Sequence, residues 1–278
     1  LAATVRGLAA TGYRGVNVTI PHKQAVMPLL DQLSDAAQAI GAVNTIVVAW
    51  ADLGLAVLPR TASPARDLGL AVLGRTASPA LRGDNTDWLG FLHPLDAAGF
   101  DLAGKSALLL GAGGAARAVV YALLQRGLAH LAIWARTPAR AAQLAAHARA
   151  LASSLASDNC TLTIDPSELS MVNGQWSMVN SSPPDLIVNT TPLGMWPHVD
   201  ASPWPADPPI PPAALVYDLV YRPERTRFLQ QAEAAGCAVQ GGLEMLAVQG
   251  AAAFELWTGQ RPPLDVMMAA ARDSMSRT

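Results

Sequence analysis

The sequence predicts an α/β protein whose larger part is built on a doubly wound parallel sheet. Three observations predict it. From Asp87 onward, short apolar runs alternate with stretches of helical length, the rhythm of parallel strands joined by crossover helices. One of those runs leads directly into a glycine-rich turn, Gly111-Ala112-Gly113-Gly114-Ala115, which opens a helical pattern; this is the local context in which such a sheet binds a nucleotide. Finally, 278 residues exceed one small module and leave room for a second unit.

The elements follow in order. Residues 1–10 read as the end of a helix stopped by Gly12. Gly15 to Ile20 alternates apolar and polar, as a half-buried strand does, and Pro21 ends it. A helical pattern covers Lys23 to Leu33. Ser34 and Asp35 suit the N-cap and first turn of a short helix closed by Gly41, and the β-branched run Val43 to Trp50 is a strand. Residues 52–81 are a tandem repeat in which thirteen of fifteen positions match. Two copies are too few for a solenoid. The repeat reads as a duplication accommodated in a surface hairpin, because lengthening a loop adds little closure entropy; the functional alternative is a lid or contact loop. A smaller echo, Ser170-Met-Val-Asn173 and Ser177-Met-Val-Asn180, lies in another loop-like region. Helices are expected over Leu89–Ala98, Ala115–Arg126, 138–151 and Thr226–Ala235, with buried strands at Ser106–Leu110, Leu131–Trp134, Asp185–Val188 and Leu215–Leu219. Two helices, Leu243–Thr258 and Leu264–Met275, close the chain.

Composition removes several function classes. A net charge of -2 speaks against nucleic acid or an anionic membrane as the main partner. Cys160 and Cys237 cannot build a disulfide framework, and the dispersed histidines suggest no metal site. The most apolar stretch, Ser106 to Leu124, is broken by glycines and Arg117, so no membrane span is expected, and a reducing cytoplasm is the default. Of 19 basic residues, 17 are Arg, and only Lys23 and Lys105 are Lys. A chain so averse to lysine has a reason where it keeps one.

In the glycine-rich turn, Gly111 permits the tight bend and Gly113 lets the backbone approach a pyrophosphate, while the helix N-terminus offers N–H groups to the anion. Ala116 stands where a third glycine is usual. An NAD site carries an acid about 20 residues further on, at the end of the second strand. Here that segment reads Ala135-Arg136-Thr137-Pro138-Ala139-Arg140, without an acid. Guanidinium groups bind phosphate bidentately, so Arg136 and Arg140 favour NADP over NAD. Lys23 follows a strand and Pro21. Hydride reduction of a ketone leaves an alkoxide that needs a proton donor, and lysine, unlike arginine, can release its proton. Asp87, in Gly83-Asp84-Asn85-Thr86-Asp87, is the natural carboxylate partner for it. Lys105 reads as a solvated turn residue.

Seven motifs occur in order: Asn17-Val-Thr-Ile-Pro-His-Lys23, Gly41-Ala-Val-Asn-Thr45, Gly83-Asp-Asn-Thr-Asp87, Gly111-Ala-Gly-Gly-Ala115, Asn189-Thr-Thr-Pro-Leu-Gly-Met195, Tyr217-Asp-Leu-Val-Tyr221 and Gly241-Gly-Leu-Glu-Met-Leu-Ala-Val-Gln249. With these the chain resembles the shikimate dehydrogenases along nearly its whole length. The resemblance implies a Rossmann-type NADP domain over 89–242, inside a split α/β substrate domain formed by 1–88 and 243–278. It implies NADP-dependent, reversible reduction of 3-dehydroshikimate to shikimate, on the route to chorismate and the aromatic amino acids, by a cytoplasmic monomer or homodimer. By the same resemblance, Lys23 and Asp87 are the catalytic pair, and Thr19, Asn44, Tyr221 and Gln249 join them in holding the polyhydroxylated ring. Gly111, Ala112, Gly113, Gly114 and Ala115 match the pyrophosphate turn. Ala135, Arg136, Thr137 and Arg140 match the adenosine-phosphate segment. Leu219 and Gly242 match the nicotinamide end, and Asp35 matches a position associated with the cofactor.

Three departures accompany the resemblance. The chain starts too late to carry the family's Ser-x-Ser motif, so no carboxylate-binding residues are carried over and the opening strands of the first sheet are expected to be missing. Ala135 replaces the asparagine usual before Arg-Thr. The 52–81 repeat lengthens a normally short hairpin that leads into Asp87. Two further readings stay open: a quinate/shikimate dehydrogenase, and a non-catalytic chain that binds NADP without turnover.

Overall fold

Two main sheets organise the computed structural model, which describes residues 1–49, 79–155, 161–163, 170–172, 175–177, 183–205 and 209–276. The first sheet has four strands: β1 (Gly15–Asn17), β2 (Gln32–Leu33), β3 (Thr45–Ala49) and β4 (Ala80–Asp84), in the order β1-β3-β4-β2. β3 runs antiparallel to both β1 and β4, and β2 joins β4 in parallel. On it pack α1 (Ala2–Gly7), which continues as a 3-10 turn over Leu8–Ala10, and the apolar set Val5, Leu8, Val26, Val43, Ile46 and Val48.

The second sheet is wholly parallel. Its strands are β5 (Ser106–Leu110), β6 (His130–Trp134), β7 (Thr161–Thr163), β10 (Leu186–Asn189), β11 (Leu215–Asp218) and β12 (Ala238–Gln240), and a separate hairpin, β8 (Ser170–Val172) with β9 (Gln175–Ser177), lies between β7 and β10 in the chain. The spatial order β12-β11-β10-β5-β6-β7 reverses direction between β5 and β10. That is the switch point of a doubly wound sheet, where ligands bind outside the carboxyl ends of the strands. The four strands β5, β6, β10 and β11 are largely buried, which is why they read as continuous apolar runs rather than alternating ones. Around them lie α3 (Asp87–Ala97), α4 (Gly114–Gln125), α5 (Pro138–Ser154) and α6 (Arg227–Ala234). One core joins Leu109, Val119, Leu123, Ile133, Leu144 and Val188, with Tyr217 stacked on Phe91 at 5.0 Å between centroids.

The last helices return to the first sheet. α7 (Leu243–Thr258) packs along α3, and its Trp257 indole N–H donates to the Ile46 carbonyl of β3 at 3.0 Å. Gly15 makes room for that indole: a Cβ there would lie 2.0 Å from Trp257 Nε1. α8 (Leu264–Ser276) rests on α7. On the other side of the junction, α2 (Asp35–Ile40), capped by Ser34 and ended by Gly41 at φ +68°, leans on α4. There burial lowers the pKa of Arg117, and burial together with the Arg117 charge lowers that of His147.

Several expectations are corrected. Lys23–Leu33 is not one helix but turns, a 3-10 turn at Met27–Leu29, and β2. The Lys23 carbonyl accepts from Val43 N–H instead of a helical partner, Pro28 disfavours helical backbone before it, and Asp31 and Ser34 bond to Leu81 and Gly83 of β4. The strand expected to Ile20 stops at Asn17, where Val18 turns to the Asn44 carbonyl. Helix α3 starts at Asp87 rather than Leu89. The echo expected in a loop contributes Ser170–Val172 to β8 and Ser177 to β9. Strands β4, β7 and β12 are additions to the expected set. Lys105 is only 35% exposed at its side chain; it lies 3.6 Å from Asp185 and over the Phe100 ring, so it is a paired turn residue rather than a solvated one. Most of the tandem repeat falls outside the described residues.

Candidate active site

Three loops, the start of α3 and the middle of α7 bring the polar motifs together. Lys23 is held by its own backbone, through the bond from Val43 N–H to its carbonyl. Asp87 opens α3, and its N–H donates to Asn85 Oδ1 at 3.0 Å, an Asx turn that aims the carboxylate. Lys23 Nζ donates to Asp87 Oδ2 at 2.7 Å; the side chains are 14% and 6% exposed. This is an ion pair largely out of water, where mutual attraction is much stronger than on a surface. The other carboxylate oxygen, Oδ1, accepts from Asn44 Nδ2 at 2.8 Å.

Asn44 is the hub. It is buried, and its amide also lies 3.0 Å from Thr86 Oγ1 and 3.2 Å from Gln249 Oε1. Its carbonyl oxygen accepts from Thr86 N–H at 2.8 Å and from the Thr45 hydroxyl at 3.0 Å. Thr86 in turn donates its hydroxyl to the Gln249 backbone carbonyl at 3.0 Å. Residues more than 160 positions apart in the chain are thereby tied into one network.

Above this floor opens a cleft of about 280 Å³. Thr19, Lys23, Asn44, Asp87 and Gln249 line it on the side of the first sheet; Ala115, Leu219, Tyr221 and Gly242 line it on the side of the parallel sheet. Nine of the residues proposed from sequence therefore meet in one cavity. The rest of the wall includes Thr190, Thr191 and Met195 of a quoted motif, and Val220, Met245 and Leu246. Sequence reasoning assigns these no role; for the residues that directly follow β10 and β11, their place at the carboxyl edge of the sheet is the signal that could have found them.

The glycine-rich turn sits beside that cavity. Gly111 has φ +111°, and a Cβ on it would meet Thr190 Oγ1 at 2.5 Å, so a side chain is excluded twice, by backbone and by space. Gly113 begins α4 in extended backbone; a Cβ there would touch nothing, so that face is open to a ligand. No side chain caps α4, which leaves the N–H groups of its first turn for an anion. Gly114 abuts the Lys23 side chain: a Cβ on it would lie 3.2 Å from Lys23 Cβ. The Gly111 N–H donates to the Trp134 carbonyl at 2.7 Å, which sets the turn beside the end of β6, where Ala135, Arg136, Thr137 and Arg140 follow. Both arginines are exposed, and neither forms an ion pair among the described residues. An open turn, an uncapped helix and two uncommitted guanidinium groups fit a dinucleotide bearing a 2′-phosphate. Asp35, exposed in the first turn of α2, does not line the cleft. Among the described residues no cluster could hold a metal, and no helix is long and apolar enough to cross a membrane.

Comparison with known proteins agrees with this geometry. Family models match in three places: the shikimate dehydrogenase substrate binding domain over residues 1–46, shikimate / quinate 5-dehydrogenase over 95–164, and the shikimate 5'-dehydrogenase C-terminal domain over 242–272. The chain is 44% identical over 275 residues to the NADP(+) shikimate dehydrogenase of Moorella thermoacetica, covering 99% of this chain and 80% of that protein. Among solved structures it is similar to shikimate 5-dehydrogenase from Thermus thermophilus in complex with NADP(H) and shikimate (37% identity, TM-score 0.68, 99% of this chain and 84% of that one). It is also similar to quinate dehydrogenase from Corynebacterium glutamicum in complex with NAD (28% identity, TM-score 0.74, 99% and 82%). The chain belongs to the shikimate dehydrogenase family.

Proposed function

We propose that the chain catalyses the reversible, NADP-dependent reduction of 3-dehydroshikimate to shikimate, the step that feeds chorismate and aromatic amino acid biosynthesis. The observation that carries this reading is the Lys23–Asp87 pair, fixed by Asn44 in a cleft that also meets the glycine-rich turn. NADPH, when bound, supplies the hydride. Lys23 commits one of its three N–H donors to Asp87 and keeps two for the cleft. In the reducing direction its Nζ gives a proton to the oxygen that becomes a hydroxyl; in the oxidising direction it takes that proton back. Asp87 orients the ammonium and offers an acceptor to a ring hydroxyl. Thr19, Asn44, Tyr221 and Gln249 supply the remaining polar contacts to the ring.

The cofactor assignment is equally specific. Backbone of residues 111–115 cradles the pyrophosphate, Arg136 and Arg140 bind the 2′-phosphate, and Ala135 and Thr137 flank the adenosine. Leu219 and Gly242 face the nicotinamide end, and Asp35 rests on the family resemblance alone. Residues 1–88 with 243–278 form the substrate domain in this reading, and 89–242 the NADP domain. A cytoplasmic monomer or homodimer goes with it, and sedimentation would tell the two oligomeric states apart.

The test is NADPH absorbance with NADP and shikimate. Shikimate-dependent NADPH formation is expected. NADP binding without turnover would replace the proposal by a non-catalytic, NADP-binding chain. Faster turnover with quinate and NAD would move it to the quinate/shikimate class; the two exposed arginines favour NADP instead.

A further inference from the structure

One buried polar cluster lies outside the cleft yet holds both of the loops that wall it. Asp218 ends β11 and is fully buried. Its carboxylate accepts three hydrogen bonds from three segments: Asn189 Nδ2 at the end of β10 (2.8 Å), Val220 N–H in the next loop (3.0 Å), and the Thr226 hydroxyl at the start of α6 (2.6 Å). Asn189, also fully buried, extends the cluster: its Oδ1 accepts from the Thr191 N–H at 2.9 Å and the Thr191 hydroxyl at 2.7 Å. Two backbone bonds finish it, from Leu219 N–H to the Asn189 carbonyl (3.0 Å) and from Gly242 N–H to the Val220 carbonyl (3.3 Å).

The loops held in this way contribute Thr190, Thr191 and Met195 on one side and Leu219, Val220 and Tyr221 on the other. A buried carboxylate without a cation carries a large desolvation penalty, and an apolar residue could end a strand without it. What this acid offers is an acceptor for donors on three segments at once, with Asn189 relaying the constraint to Thr191.

We propose that Asp218, acting through Asn189, is a positioning residue that locks loops 190–195 and 219–221 in one mutual register, and so sets the cleft wall against cofactor and substrate. The inference rests on the dehydrogenase reading above. Asp218→Ala removes all three bonds. Asp218→Asn keeps the shape: its oxygen faces Asn189 and Val220, and its amide donates to Thr226 Oγ1, which still has a lone pair.

The test measures kcat and KM for shikimate and NADP, and the NADPH dissociation constant by fluorescence, in wild type, D218A and D218N. For D218A we expect kcat/KM to fall about 10- to 100-fold with KM raised, as misplacement by about 1 Å produces, and NADPH binding to weaken. D218N should recover to within about threefold of wild type. Unchanged KM and dissociation constants in D218A, with kcat falling only as the folded fraction falls, would overturn the proposal by reducing Asp218 to a structural strut. D218N as impaired as D218A would overturn it too. If D218A does not fold, Asn189→Ala takes its place, with the same two outcomes for KM and binding. A wild type that binds NADPH without turnover defeats the dehydrogenase reading, while the dissociation constants still decide the positioning claim; a wild type that does neither overturns both.

Discussion

Lys23 and Asp87 are held as a pair by a 2.7 Å contact between side chains that are 14% and 6% exposed. Replacing Lys23 by Met removes the proposed proton donor and leaves the Asp87 carboxylate with its bond from Asn44 Nδ2. We expect kcat to fall about 100- to 10,000-fold, with the NADP dissociation constant unchanged; turnover above a tenth of wild type would place the proton elsewhere. Arg136→Ala should cost about 1.5–3 kcal/mol of NADP binding, roughly tenfold to a hundredfold in KM, and leave KM for NAD nearly constant. Equal loss for both cofactors would sink the 2′-phosphate assignment. Asp218 has a different signature. Burial raises its carboxyl from 3.8 to about 6 against the pull of its three hydrogen bonds. The folded chain thus holds this proton more tightly than the unfolded chain. The stability it contributes is fully present below about pH 4 and is lost as pH rises through about 6, a change on the order of 3 kcal/mol. We expect the melting temperature of D218N relative to wild type to climb across that window; a constant difference would contradict it.

At the scale of elements, close approach decides more than propensity. Gly242 lets the start of α7 lie against the loop after β11: a Cβ there would sit 2.2 Å from the Leu219 carbonyl oxygen, and backbone cannot step aside. Gly242→Ala should destabilise the protein by about 1–3 kcal/mol, read as a lower denaturation midpoint, and raise KM for NADP. The parallel sheet was legible because buried strands read as unbroken apolar runs, and its glycine turn because Gly111 needs both positive φ and empty space. The pair Lys23–Asp87 was legible from rarity and motif context. What escaped had weak local signals. β4 is formed by Ala-Leu-Arg-Gly-Asp, a sequence that resembles a turn and becomes a strand only between β3 and β2. The segment 23–33 has helical spacing, but its backbone donors find better partners across the chain. Asn189 and Asp218 are polar residues at the ends of apolar runs, and nothing in one dimension says that they touch each other.

For the whole molecule, the decisive feature is that the cleft has no single owner. Its floor comes from residues 17–23, Asn44 and Asp87, its far wall from 190–195 and 219–221, and the last polar group on its wall, Gln249, from α7. The hydrogen bond from Trp257 to Ile46 fastens that helix to the first sheet. Trp257→Ala should lower stability by about 1–3 kcal/mol and raise KM for shikimate more than KM for NADP, because it loosens α7 on the side of Lys23 and not beside Arg136. Equal rises in both constants would show that α7 serves the cofactor half as much as the substrate half.

The reach of Gln249 back to Asn44 has a consequence in time. A ribosome releases Lys23, Asn44 and Asp87 first and the parallel sheet next, and domains fold as they emerge. The floor of the cleft must then wait, with Asn44 and Thr86 lacking their Gln249 partners, until α7 has been made. A nascent chain arrested before α7 holds the glycine-rich turn but not the closed polar network, so the cleft is completed in one step when α7 emerges rather than growing with length.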